Sequence, residues 1–135
     1  MKMNKIRIFI GLLMILVLTA CGSKEVKITK VPSEIYTDKD IQAAIQVIVD
    51  EFEEENRDGY TLKEISYAGD EVTLAEQKQA EFYDADEVIV LTSCFKVGFI
   101  KEDSGLEPFS TEDGWKWYLV RTKGGEWVHV DHGYA

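Results

Sequence analysis

The chain has 135 residues, room for one domain and not two. Its 25 acidic residues outnumber 15 basic ones, for a formal net charge of −10. Phosphate recognition needs a basic stripe, so nucleic acid is excluded as a partner class, and anionic lipid headgroups repel such a domain as well.

The first twenty residues differ from the rest: they contain Lys2, Lys5 and Arg7 but no acid. Removing those three cations takes the formal charge from −10 to about −13 for residues 21–135. Ile8 to Leu18 is apolar apart from Gly11. At about 11 residues it falls short of the roughly 20 that span a bilayer, and has the length of a signal-peptide core. Leu18-Thr19-Ala20-Cys21-Gly22 then resembles the lipobox of bacterial lipoproteins. Small residues admit the extended chain to a signal peptidase, and the Cys21 thiolate is the nucleophile that takes up a diacylglyceryl group. The expected organisation is a signal peptide over 1–20, a lipidated tether over 21–32 closed by Pro32, and one domain over 33–135. The expected address is the extracytoplasmic face of the cell membrane, reached through palmitate-type lipid on Cys21. Alternation at Val26 and Ile28 leaves part of the tether free to be an edge strand.

Thr37 and Asp40 form a capping-box pattern, with Tyr36 and Ile41 at the two positions of a hydrophobic staple. Ile41, Ala44, Ile45, Ile48 and Phe52 then recur at helical spacing as one apolar stripe. Asn56-Arg57-Asp58-Gly59 stops the helix. Asp50, Glu51, Glu53, Glu54 and Glu55 crowd its C-terminal turns, where the helix dipole disfavours acids. Glu53, Glu54 and Glu55 are therefore candidates for contact with a cationic partner.

Tyr60 to Tyr67 reads as a strand with a bulge, because its apolar residues change parity between Leu62 and Ile65. Thr73 and Glu76 repeat the capping-box pattern and are expected to open a short helix to about Tyr83. Glu87 to Val97 begins with Val88-Ile89-Val90-Leu91, apolar on both parities, so its start should be covered on both faces. Cys94 lies in that run, expected to be an inert thiol with no base close by in sequence. Lys101 to Gly114 reads as a polar loop. Trp115 to Thr122 and Trp127 to Tyr134 are two strands of a hairpin, joined through Gly124 and Gly125.

Trp115-Lys116-Trp117-Tyr118-Leu119-Val120-Arg121, Gly124-Gly125-Glu126-Trp127 and Asp131-His132-Gly133-Tyr134 resemble the C-terminal signature of an uncharacterised family. That family occurs in lipoproteins and membrane-anchored proteins of Gram-positive bacteria. Ala85 to Ser93 and Leu106-Glu107-Pro108 are similar to it too, so the resemblance covers most of the chain from about Thr37 onward. It implies an α+β fold of the NTF2-like or cystatin-like group, a curved antiparallel sheet packed on a long N-terminal helix. Two positions depart from the pattern, a tryptophan being usual at His132 and an aspartate at Cys94. The resemblance implies an address and a fold but no chemistry.

A curved sheet of this group leaves a conical pocket, for which Asp131, Tyr67, Tyr118, Tyr134 and His129 are the candidate proton-transfer groups. Strict alternation puts His129 and Asp131 on one face and Val128, Val130, His132 and Tyr134 on the other. Two core valines turn His129 and Asp131 outward, whereas a core Trp127 gives the opposite assignment. On alternation His129 and His132 cannot hold one ion without a bulge, and no Cys/His cluster supplies further ligands, so neither metal nor cofactor is expected. Asp84-Ala85-Asp86-Glu87 and Asp103-Ser104-Gly105 are fragments of calcium loops lacking the full ligand run. Trp115 and Trp117 are the candidate aromatic contacts. The leading expectation is a non-catalytic binding or accessory module at the envelope, meeting a protein partner or a small ligand. The alternative is a small cone-pocket enzyme using Asp131 and a tyrosine.

Overall fold

The computed structural model describes residues 25–55, 59–99 and 106–134. The segment expected as signal peptide, Cys21, the expected helix-stop residues 56–58, the loop residues 100–105 with their calcium-like fragment, and the side chain of Glu55 lie outside the described residues.

Three tertiary facts organise the chain: a first helix laid along a sheet, a strand pair that closes the sheet at one edge, and two short helices behind it. The elements in chain order are β1 (Lys27–Thr29), α1 (Asp38–Glu55), β2 (Tyr60–Tyr67), α2 (Asp70–Ala75), α3 (Gln77–Phe82), β3 (Glu87–Val97), β4 (Thr111–Arg121) and β5 (Val128–Gly133). The fold is α+β. Its five strands form one sheet in the order β1-β2-β3-β4-β5. The sheet is mixed and not antiparallel throughout. β1 runs parallel to β2, while the other three pairings are antiparallel. The helix α1 crosses between β1 and β2, and such a crossover is what a parallel pair requires. Part of the segment expected as tether thus belongs to the sheet, since Lys27, Ile28 and Thr29 pair with Glu64, Ile65 and Ser66.

Reciprocal capping starts α1. The Thr37 amide donates to Asp40 Oδ2 and the Asp40 amide to Thr37 Oγ1, each at 3.1 Å. Losing such a cap costs about 1 kcal/mol. The stripe Ile41, Ala44, Ile45 and Ile48 is buried against Leu62, Ile65, Ile89, Leu91, Phe95, Trp117 and Leu119. In β2 the register shifts between Leu62 and Glu64, so the bulge at Lys63 lets both Leu62 and Ile65 face the core. β3 is covered on both sides at its start: Ile89 and Leu91 face α1, while Val88 packs with Ala80 of α3 and Val120 of β4.

Two local expectations give way to longer-range contacts. Thr73 does not cap a helix; α2 begins at Asp70, and Thr73 lies fully buried inside it. Its Oγ1 accepts the Val90 amide at 3.2 Å, a donor that β3 would otherwise bury unpaired. Gly114 does not end a loop. β4 already starts at Thr111, and Gly114, at φ 78°, is the extra residue of a bulge between the pairs Ser93–Trp115 and Cys94–Asp113.

At the other end of the sheet Arg121 ties the hairpin to α1. Its Nε meets Glu87, one terminal nitrogen lies 3.2 Å from Asp40 Oδ1, and its guanidinium covers the Trp127 ring at 4.2 Å. Trp127 Nε1 donates to the Asp40 carbonyl at 3.1 Å. Among the described residues no helix is long and apolar enough to cross a membrane.

Candidate functional site

Where the apolar stripe of α1 ends at Phe52, aromatic rings of the sheet continue it. Phe52 lies 5.5 Å from both Phe95 and Trp117, and Phe95 lies 5.5 Å from Trp115. Past them come His129, His132 and Tyr134 on and just beyond the edge strand β5.

A third bulge decides what β5 presents. Tyr118 pairs with Asp131 but Leu119 pairs with His129, so Val130 is the extra residue. A bulge breaks the two-residue alternation, so side chains three apart share a face. His129 and His132 therefore both stand on the α1 side, opposite Leu119 and Trp117. The face assignment from strict alternation is thereby overturned. Val130 packs with the Val88 and Val120 cluster on the opposite side, which draws the extra residue away.

The chain has two histidines, and the fold brings them together. His129 Nδ1 lies 2.8 Å and 3.1 Å from the two carboxylate oxygens of Glu51 on α1. His129 Nε2 lies 3.1 Å from His132 Nδ1. An ionised carboxylate only accepts, so Nδ1 of His129 carries a proton toward Glu51, and in the neutral tautomer Nε2 is the lone pair that faces His132. The His129 ring meets Trp117 edge-on at 5.2 Å, and His132 is stacked on Trp115 with ring planes 26° apart. Burial and the adjacent His129 hold the His132 pKa below its ordinary value, while the charges of Asp131 and Glu51 pull it upward. His132 is thus an exposed ring whose neutral form is favoured by burial against its neighbours.

Trp115 and Trp117, the two aromatic candidates, part company here. Trp117 is buried at 8% exposure and donates from Nε1 to Ser93 Oγ at 2.7 Å, which makes it core and not contact surface. Trp115 is half-buried, and its buried indole N–H has no hydrogen-bond partner among the described residues. Tyr134, exposed, lies 5.1 Å from the Trp115 ring and donates its hydroxyl to Glu112. Glu53 and Glu54 are exposed on the last turns of α1. Asp50 is held by Gln46 Nε2 at 2.7 Å, and Glu51 is engaged by His129.

Of the proton-transfer candidates, Asp131 and Tyr118 are cross-strand neighbours, whereas Tyr67 lies apart from them on the other face of the sheet. Tyr67 lies in the core on the α1 side, its hydroxyl donating to Asp70 Oδ1 at 2.7 Å. Asp131 opposes Tyr118 on the other side of the sheet, and its Oδ1 accepts the His132 amide at 2.8 Å. Cys94 is half-buried, and its pKa is raised by burial first and then by Asp113 and Glu64, its two register partners, so the thiol stays protonated. Asp86 accepts the Lys123 amide at 2.9 Å and Glu87 binds Arg121, so that calcium-like fragment serves the hairpin. Among the described residues no group of three or more His, Cys, Asp or Glu side chains is arranged to hold a metal ion.

Glu51 and the pairing of the histidines are not evident from sequence. A weak signal is nonetheless present: Trp127, Val128 and Val130 break parity, as Leu62 and Ile65 do in β2. Searches against protein-family models, curated proteins and solved structures find no match for this chain.

Proposed function

We propose that this chain is a lipoprotein anchored through Cys21 to the extracytoplasmic face of the cell membrane. Its α+β domain, of NTF2-like or cystatin-like kind, acts as a non-catalytic binding or accessory module at the envelope. The contact face is the exposed end of the hairpin, formed by Trp115, His132 and Tyr134, with Glu53 and Glu54 on the adjoining helix end.

One observation carries this reading. The Trp115 indole N–H is buried without a partner among the described residues, while its ring lies beside the exposed His132 and Tyr134. A buried donor left unpaired costs roughly 1–3 kcal/mol, and an acceptor brought in by a ligand removes that cost. An aromatic with a polar tip is also the residue type that dominates contact energies. The acidic helix end beside it favours a partner with a basic margin.

The test is covalent crosslinking in intact cells with a C-terminally tagged copy, read by mass spectrometry, with unlipidated Cys21→Ser as control. The expected result is a dominant partner seen only with the anchored form. Its recovery should fall at least tenfold in Trp115→Ala and drop in the Glu53/Glu54/Glu55→Gln triple variant. Unchanged recovery in both variants removes this face from the reading.

A further inference from the structure

We propose that His129 Nε2 and His132 Nδ1 form a two-nitrogen site for a divalent transition-metal ion, Cu(II) more tightly than Zn(II), with coordination positions left open. This rests on taking the hairpin end as the functional face, though not on any macromolecular partner.

The spacing of the two nitrogens fits a shared ion. Two imidazole nitrogens on one ion, each at about 2.0–2.1 Å, lie roughly 3.0–3.4 Å apart. The observed separation is 3.1 Å. The ion sits off the line joining the nitrogens, so both rings must tilt toward it, His132 by turning as an exposed ring and His129 by a smaller adjustment against Glu51.

The protonation states fit as well. Glu51 faces His129 Nδ1, which leaves Nε2 as the nitrogen open to an ion, and carboxylate–histidine–metal is a recurrent outer-shell arrangement that raises ligand basicity. His132 need only carry its proton on Nε2 in place of Nδ1, a tautomer change without change of charge. The ion then occupies the place of the hydrogen bond between the rings. Imidazole ligands suit copper and zinc, and copper leads the affinity order. Two protein nitrogens leave the remaining positions to water or to an acceptor group presented by a bound molecule.

The bulge in β5 makes the pairing possible. Without the extra residue Val130 the rings would lie on opposite faces, and no ion could join them.

The experiment uses the full chain purified in detergent, stripped of metal, then titrated with Cu(II), with Zn(II), and with Mg(II) as a control for general cation attraction. Calorimetry and the thermal midpoint report binding, and electron paramagnetic resonance of the copper form counts imidazole nitrogens. The expected result is one saturable Cu(II) site with two imidazole nitrogens, falling to one nitrogen in His132→Ala and in His129→Ala, with no Mg(II) effect. Glu51→Gln should weaken Cu(II) about 10–100-fold while keeping both nitrogens. His132→Ala removes an exposed ring, so its fold is expected to persist, and circular dichroism checks that. A copper spectrum without imidazole nitrogens, or equal affinity in the His129/His132→Ala double variant, overturns the site. Partner capture in cells is measured separately, so a failed metal titration leaves the contact-face reading to its own test.

Discussion

Asp70 shows what one side chain accomplishes in this fold. Its Oδ1 accepts from Ser33 Oγ at 2.6 Å and from Tyr67 at 2.7 Å, and its Oδ2 from the Glu34 amide at 2.8 Å. It thereby pins the segment between β1 and α1 to the start of α2. The Glu34 amide, then the Ser33 and Tyr67 hydroxyls, hold its pKa below the ordinary carboxylate value. A carboxylate with a depressed folded-state pKa stabilises the fold fully above its unfolded value of about 3.9, and that contribution disappears as pH falls through the lower folded value. Asp70→Asn should therefore be less stable than the wild type at neutral pH, with the gap closing in acid. Urea midpoints measured at pH 7, 5, 4 and 3 check this, and a gap that stays constant over the series contradicts it. Asp40 and Thr37 are legible from sequence because their bonds close within four residues. Asp70 reads from sequence only as part of a turn, since its partner Ser33 lies 37 residues away.

At the scale of elements, three bulges shape the sheet. Lys63 in β2 is readable because large apolar residues on both sides of it must face one core. Gly114 in β4 and Val130 in β5 are not. Around Gly114 the preceding residues are polar, so parity carries no signal there. Around Val130 two cores compete: Trp127 belongs to the α1 side and Val130 packs behind the sheet, so each supports a different phase. A strand with apolar residues for both faces does not declare its bulge. Gly114 offers a clean test, because its φ is 78° and a Cβ there would meet nothing within 4 Å. Gly114→Ala should thus cost only the left-handed backbone term of about 1–2 kcal/mol, read as a lower urea midpoint with unchanged slope. A neutral substitution would mean that the bulge relaxes. The buried Thr73 parallels Val130: its capping pattern is local, but the Val90 amide prevails because an unpaired donor inside a sheet is the larger penalty.

At the scale of the whole molecule, the strand that follows the proposed anchor and the proposed contact face belong to opposite edges. β1, nearest the tether, is one edge of the five-stranded sheet and β5 the other. Four strand spacings of about 4.8 Å separate them, roughly 19 Å. With Lys27–Thr29 in the sheet and Val26 packed against the core, the tether expected over 21–32 loses the residues that join the domain. On the proposed anchoring at Cys21, retention of an acidic domain beside headgroups that repel it rests on the lipid: each buried methylene contributes about 0.8 kcal/mol, and two chains make attachment durable. The two cysteines should then behave oppositely. Cys94 is half-buried between Glu64 and Asp113, with a thiol kept protonated, and is a poor nucleophile. Cys21 comes directly after Leu18-Thr19-Ala20 at the end of the apolar run. Metabolic labelling with palmitate should therefore mark the wild type and Cys94→Ser alike and leave Cys21→Ser unmarked. Label persisting in Cys21→Ser would cut the domain from its anchor, and the opposed edges would lose their meaning as membrane side and partner side.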